Sequence, residues 1–165
     1  MSHIFKLITF LLVIFSTGCV SPPLTVKTPV NTNDYVNYGK QGTGAIAGEA
    51  FGRTKGGDIK IAAGLRVFLD PVTPYSTEVY KTLSNSGDLR KQRAEDTVVF
   101  DPLMLKYRRT VIADSTGHFR FQNIPKGDYF VTCYISWLNV NFWTGGWHVK
   151  RVRIADGEVI NGISL

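Results

Sequence analysis

Between the β-branched pair Val111-Ile112 and the apolar run that begins at Tyr129, the chain reads ADSTGHFRFQNIPKGDYFV (residues 113–131). No other stretch restricts the fold as much. Asp114-Ser-Thr-Gly117 offers an Asp side chain that accepts nearby backbone N–H groups and a Gly free to take a positive φ, the needs of a tight hairpin turn. Phe119 and Phe121 then share one face, His118 and Arg120 the other, and Ile124-Pro-Lys-Gly127 forms a second turn. A period-two strand between two turns predicts β structure. The same residues set Asp114, Ser115 and His118 close together. A hydrolytic triad needs its acid to orient a His that reaches the nucleophile, and a tight turn has no pocket for that. The stretch is turn chemistry.

From Thr43 onward, short apolar runs closed by Gly, Pro, Asn and Asp predict an all-β sandwich. Strands are expected near 43–51, 59–62, 65–69, 108–113, 118–122, 128–137, 147–154 and 158–164. In 128–137, Tyr129, Val131, Cys133, Ile135 and Trp137 share a face, while the other face is only partly polar because it holds Phe130 and Tyr134. In 147–154 the parity breaks: Trp147 and Val149 lie on one face, Val152 and Ile154 on the other. A bulge near Lys150 would reconcile them. Residues 71–107 form a long insertion, with a short helix expected behind Ser76 as N-cap. No internal repeat is visible.

The first residues, MSHIFKLITFLLVIFSTGCV, set Lys6 before an apolar run from Leu7 to Phe15 and the small residues Ser16, Thr17 and Gly18. That pattern predicts a signal peptide over 1–18, because the run is short of the ~20 residues a membrane-spanning helix needs. The junction Ser16-Thr-Gly-Cys19 resembles the lipobox of bacterial lipoproteins, although Ser16 stands where Leu is usual. The resemblance implies lipidation at Cys19, a membrane partner and a place in the bacterial cell envelope. With Val20 rather than Asp next, it implies the outer membrane, facing the periplasm. Residues 19–42, with three prolines and no sustained period, are expected to be a flexible tether. Lipid at Cys19 would leave Cys133 unpaired, and the latter's apolar surroundings predict a buried thiol.

The net charge of +6 comes from scattered basic residues without a long run or nucleic-acid motif. It suits an anionic surface or cell-wall polymer and gives no reason to expect nucleic acid as partner. Nothing in the pattern sets an oligomeric state.

Asp114-x-x-Gly-x-Phe-x-Phe121 followed by Ile124-Pro-x-Gly-x-Tyr129 resembles the carboxypeptidase regulatory-like domains. Gly44-Ala-Ile-Ala-Gly-Glu-Ala-Phe51 and Ala63-Gly-Leu-Arg-Val-Phe-Leu69 are similar to the first two strands of that family. The resemblance covers residues 43–165. It implies a transthyretin-like Greek-key β-sandwich of about seven strands, with 71–107 as a long, partly helical insertion. It does not imply catalysis. There is no HxxE or HExxH pattern for a metallocarboxypeptidase, and the chain ends Asn161-Gly-Ile-Ser-Leu165 where transthyretin-like hydroxyisourate hydrolases have Tyr-Arg-Gly-Ser. His118 and His148 lack the close spacing of the His ligands in intradiol dioxygenases. The expectation is a non-catalytic interaction or scaffold module without a cofactor or metal.

One compositional anomaly suggests a binding surface. All three tryptophans lie within Trp137-Leu-Asn-Val-Asn-Phe-Trp143-Thr-Gly-Gly-Trp147, read as a loop between two strands. Asn139, Asn141, Phe142 and Trp143 are its candidate contact residues, for a sugar ring of a glycan or peptidoglycan or for an envelope protein. Trp137 and Trp147, nearer the strand centres, are expected to cap the core, and Trp143 to be exposed.

Overall fold

The computed structural model describes residues 25–85 and 98–165. Residues 1–18, Cys19 and the stretch to 24, as well as 86–97, lie outside the described residues. Among those described are nine strands: β1 (Gly44–Glu49), β2 (Phe51–Arg53), β3 (Ile59–Ile61), β4 (Arg66–Pro71), β5 (Arg109–Ile112), β6 (His118–Ile124), β7 (Gly127–Asn139), β8 (Phe142–Ile154) and β9 (Val159–Ser164). Two helices, α1 (Pro74–Asn85) and α2 (Pro102–Tyr107), occupy the insertion. The count exceeds seven partly because the run 43–51 breaks at Ala50. Its N–H donates to Gly117 O and its C=O accepts from Ala62, so the chain leaves β1 and enters a separate β2–β3 ribbon.

A three-stranded sheet, β6-β1-β9, faces a four-stranded antiparallel sheet, β5-β4-β7-β8. Alternate residues of each sheet meet in one core: Ile46, Phe119 and Phe121 on one side, Val67, Leu69, Val131, Cys133 and Ile135 on the other. The turns that bracket β6 are tight, as expected, but neither closes a hairpin. β5 and β6 lie in different sheets, and so do β6 and β7, so both turns carry the chain across the sandwich. Tyr129 fixes the second crossing by donating its hydroxyl to Pro125 O at 2.8 Å.

The helices form a third layer on the outer face of the four-stranded sheet. Tyr75, Val79, Tyr80 and Leu83 of α1 and Met104 of α2 pack with Phe130, Trp147 and Val149. This explains why the second face of β7 is aromatic. It also removes the bulge expected near Lys150, because β7 and β8 pair without a register shift from Gly127↔Ile154 to Asn139↔Phe142. Val152 and Ile154 face the sandwich core, Trp147 and Val149 the helices. Each face of β8 is covered where its apolar residues lie, the core side at Val152 and Ile154 and the helix side at Trp147 and Val149, so its parity needs no repair. Helix α1 begins earlier than expected. Thr73 Oγ1 accepts from Ser76 N–H and Ser76 Oγ accepts from Thr73 N–H, a reciprocal cap that makes Thr73, not Ser76, the capping residue.

The described part of the expected tether does not hang free. Lys27 and Thr28 donate their N–H groups to Glu78 of α1. Tyr35 is fully buried and stacks on Tyr107, and Tyr38 packs edge-on against Tyr129. The missing period in 25–42 reflects an irregular strap whose apolar residues are spaced to fit the domain.

Candidate functional site

The expected loop between Trp137 and Trp147 is instead the end of a long hairpin. β7 and β8 run thirteen residues each and are joined by Val140 and Asn141 alone. Gly145 and Gly146 look like breakers in sequence but sit within β8. At Gly145 φ is +116°, and a Cβ there would lie 2.1 Å from Ile135 O, so only glycine lets the strands approach this closely. Val140 turns the corner with φ +53°, an uncommon conformation for a β-branched side chain.

The ladder sorts the tryptophans. Leu138 pairs with Trp143 and Tyr134 with Trp147, all on the helix-side face, whereas Trp137 pairs with Thr144 on the opposite face. Trp137 packs against the sandwich core, where a Cβ on Gly52 would come within 2.7 Å of its ring. Trp147 lies among Phe68, Tyr80 and Tyr134, with ring centroids 5.6–6.4 Å away. Its indole N–H is buried without an acceptor among the described residues. Trp143 is 48% exposed and its neighbour Leu138 60%. Asn139 and Asn141 are exposed, Asn139 opposite Phe142 in the ladder and Asn141 in the turn. The site is therefore a narrow face, Trp143 beside Leu138, with exposed Val140 at the tip. Sequence reasoning missed Leu138 and Val140. A strand period extended past Trp137 would have marked Leu138. An indole face beside apolar and amide side chains can stack on a pyranose ring or seat an apolar partner residue.

The Asp114 turn has the geometry its chemistry requires. Asp114 Oδ1 accepts from Thr116 N–H at 2.8 Å, His118 N–H at 3.0 Å and the Thr116 hydroxyl at 2.7 Å. Those bonds, the Thr116 hydroxyl first, hold the Asp114 carboxyl below its ordinary pKa. His118 Nδ1 meets Thr116 Oγ1 at 2.7 Å, so Thr116, not Ser115, links the acid and the imidazole. His148 lies in the other sheet, opposite Cys133 in the β7–β8 ladder, and burial lowers its pKa. Cys133 is fully buried, which pushes its thiol up to about 12.

No protein family model matches this chain, and no curated protein matches it. Among solved structures it is similar to the major pilin subunit of Bacillus cereus, at 17% identity and a TM-score of 0.39, over 74% of this chain and 30% of that one. It is also similar to a proposed carbohydrate-binding protein from Pseudomonas aeruginosa, at 24% identity and a TM-score of 0.67, over 81% of this chain and 98% of that one. The Pseudomonas likeness shows a shared β-sandwich fold.

Proposed function

We propose that this chain is a non-catalytic, lipid-anchored module of the bacterial cell envelope that binds a glycan, such as a cell-wall polymer, through the tip of the β7–β8 hairpin. The observation that carries the reading is the half-exposed indole of Trp143 beside Leu138. Burying such a ring against a sugar face gives area and orientation at low entropic cost. The description of the Pseudomonas protein as carbohydrate-binding supports the same reading. Its sandwich would be of the transthyretin-like, carboxypeptidase regulatory-like kind. Acylation at Cys19 would hold it at the outer membrane, each buried CH₂ adding about 0.8 kcal/mol of membrane affinity.

Sedimentation with purified peptidoglycan sacculi tests the binding. Trp143→Ala should stay folded and lose retention. Equal retention of variant and wild type would overturn the hairpin reading. Retention lost only on an envelope protein column would replace the glycan with a protein partner. Mass spectrometry of the mature chain tests the anchor, which an unmodified Cys19 would remove.

A further inference from the structure

An open cleft of about 640 Å³ lies over the β6-β1-β9 sheet and runs round its β6 edge to Val111 and Ile112 of β5. That volume falls within the roughly 300–1,000 Å³ of small-ligand sites. Its shape follows from the strands. Phe119 and Phe121 face the core, so their neighbours His118 and Arg120 face out. The antiparallel ladder sets Glu49 opposite His118 and Ala47 opposite Arg120. On the other side of β1, the register with β9 shifts between Ile46 and Gly48. Asn161 and Gly162 lie at that irregularity, with Gly162 at φ +74°. Ala47, Gly48 and Gly162 thus leave a low floor, with charged and amide side chains on one part of its rim and the apolar Val111 and Ile112 on another.

The polar groups differ in what already occupies them. The Asp114 carboxylate accepts three hydrogen bonds within its own turn, and His118 Nδ1 meets Thr116, which leaves Nε2 open. Glu49 and Arg120 side chains have no hydrogen-bond or ion-pair partner among the described residues. They are diagonal neighbours across an antiparallel pair, a position from which long side chains can reach one another, yet each stays open. The cleft therefore presents an acceptor-only carboxylate, a donor-only guanidinium, an imidazole nitrogen and the Asn161 amide; Glu49 and Arg120 cancel, and the remaining negative charge, Asp114, is taken up by its own turn.

An anionic ligand would meet the two carboxylates of Glu49 and Asp114, and a cation would leave the Arg120 guanidinium without an acceptor. A purely apolar ligand would strand all of these groups. The ligand that uses them is neutral and dense in paired hydroxyls. We propose that this cleft binds a neutral oligosaccharide, with Glu49 accepting from, and Arg120 donating to, vicinal hydroxyls over the Ala47–Gly162 floor. The site deepens the glycan-binding reading but uses none of the hairpin residues, so the two fail separately.

The test is an NMR titration of the full chain with maltotriose, cellotriose and N,N′,N″-triacetylchitotriose, with trigalacturonate as an anionic control. One neutral trisaccharide should shift the amides of Gly48, Arg120 and Gly162. Glu49→Gln and Arg120→Gln should each weaken that binding by about tenfold or more, about 1.4 kcal/mol, without loss of spectral dispersion. Trp143→Ala should leave it unchanged. The proposal is overturned if no neutral trisaccharide moves those amides at about 10 mM, a concentration that would detect even millimolar affinity. It is equally overturned if both Gln variants bind as wild type or if trigalacturonate alone binds. Loss of sacculus retention in Trp143→Ala with intact trisaccharide binding would separate the hairpin from the cleft.

Discussion

Gly117 shows how one residue holds a crossing between sheets. Its φ is +86°, and a Cβ would lie 2.8 Å from the Ala50 carbonyl oxygen and 3.0 Å from Ile61. The same carbonyl accepts the Ala62 N–H that starts the β2–β3 ribbon, so the clash cannot be relieved without loosening that link. Gly117→Val should cost more than about 1 kcal/mol, whereas Ser115→Ala, which removes no hydrogen bond seen in the turn, should stay within about 0.5 kcal/mol. Thermal unfolding of both variants checks this, and an unchanged midpoint for Gly117→Val would mean the turn bears no such constraint. Position 117 was legible in the sequence because a turn is local. The role of Thr116 was not, because a hydroxyl between Asp114 and His118 becomes a bridge only after the turn brings them together.

At the scale of elements, the strap over residues 25–42 is held where an irregular segment meets α1. Glu78 accepts from the backbone N–H groups of Lys27 and Thr28 and from the Thr28 hydroxyl. The hydroxyl first, then the two N–H groups, hold its carboxyl below the ordinary value of 4.5. A carboxylate whose pKa is lowered by folding contributes stability that is fully present above the unfolded value and lost as pH falls through the folded one. The Lys27 and Thr28 amide resonances should therefore move together with a midpoint below 4.5. Glu78→Gln should abolish that titration and speed proteolysis within residues 25–31. Amides that titrate unchanged in Glu78→Gln would show that the strap is held elsewhere. If Cys19 carries lipid, a docked strap places α1 and its layer near the membrane, with only residues 20–24 between the anchor and the described chain.

For the molecule as a whole, a buried charged network among the described residues joins the helical layer to the sandwich. Asp70 of β4 receives Arg108 Nε at 2.9 Å and Nη2 at 3.1 Å, together with the Tyr80 hydroxyl from α1. The guanidinium also lies between the rings of Phe68 and Phe100, 4.6 and 4.5 Å from their centroids. Asp70 is fully buried, so Arg108→Met leaves a carboxylate without its partner and should destabilise by about 3–5 kcal/mol. Replacing both residues, as Asp70→Leu with Arg108→Met, should cost less than Arg108→Met alone, because no unpaired charge remains. Chemical denaturation of Asp70→Leu, Arg108→Met and the double variant decides it, and a double variant as unstable as the sum of its parts would deny the coupling.

What the sequence by itself determined was local: the turns at Asp114–Gly117 and Ile124–Gly127, the alternation of β6 and one face of β7, and the helical character of the insertion's start. Each depends on residues within a few positions of one another, whose backbone preferences act before any distant contact forms. Tertiary structure alone decided which faces are covered. Phe130, Trp147 and Val149 belong to a core only because α1 and α2 return across the sheet, and the same return makes the broken parity of β8 a straight ladder. The separation of Trp137 from Trp143, the docking of the strap and the cleft beside Glu49 and Arg120 arise likewise from strands adjacent in space and distant in sequence, where burial, not local propensity, sets which side chains stay open.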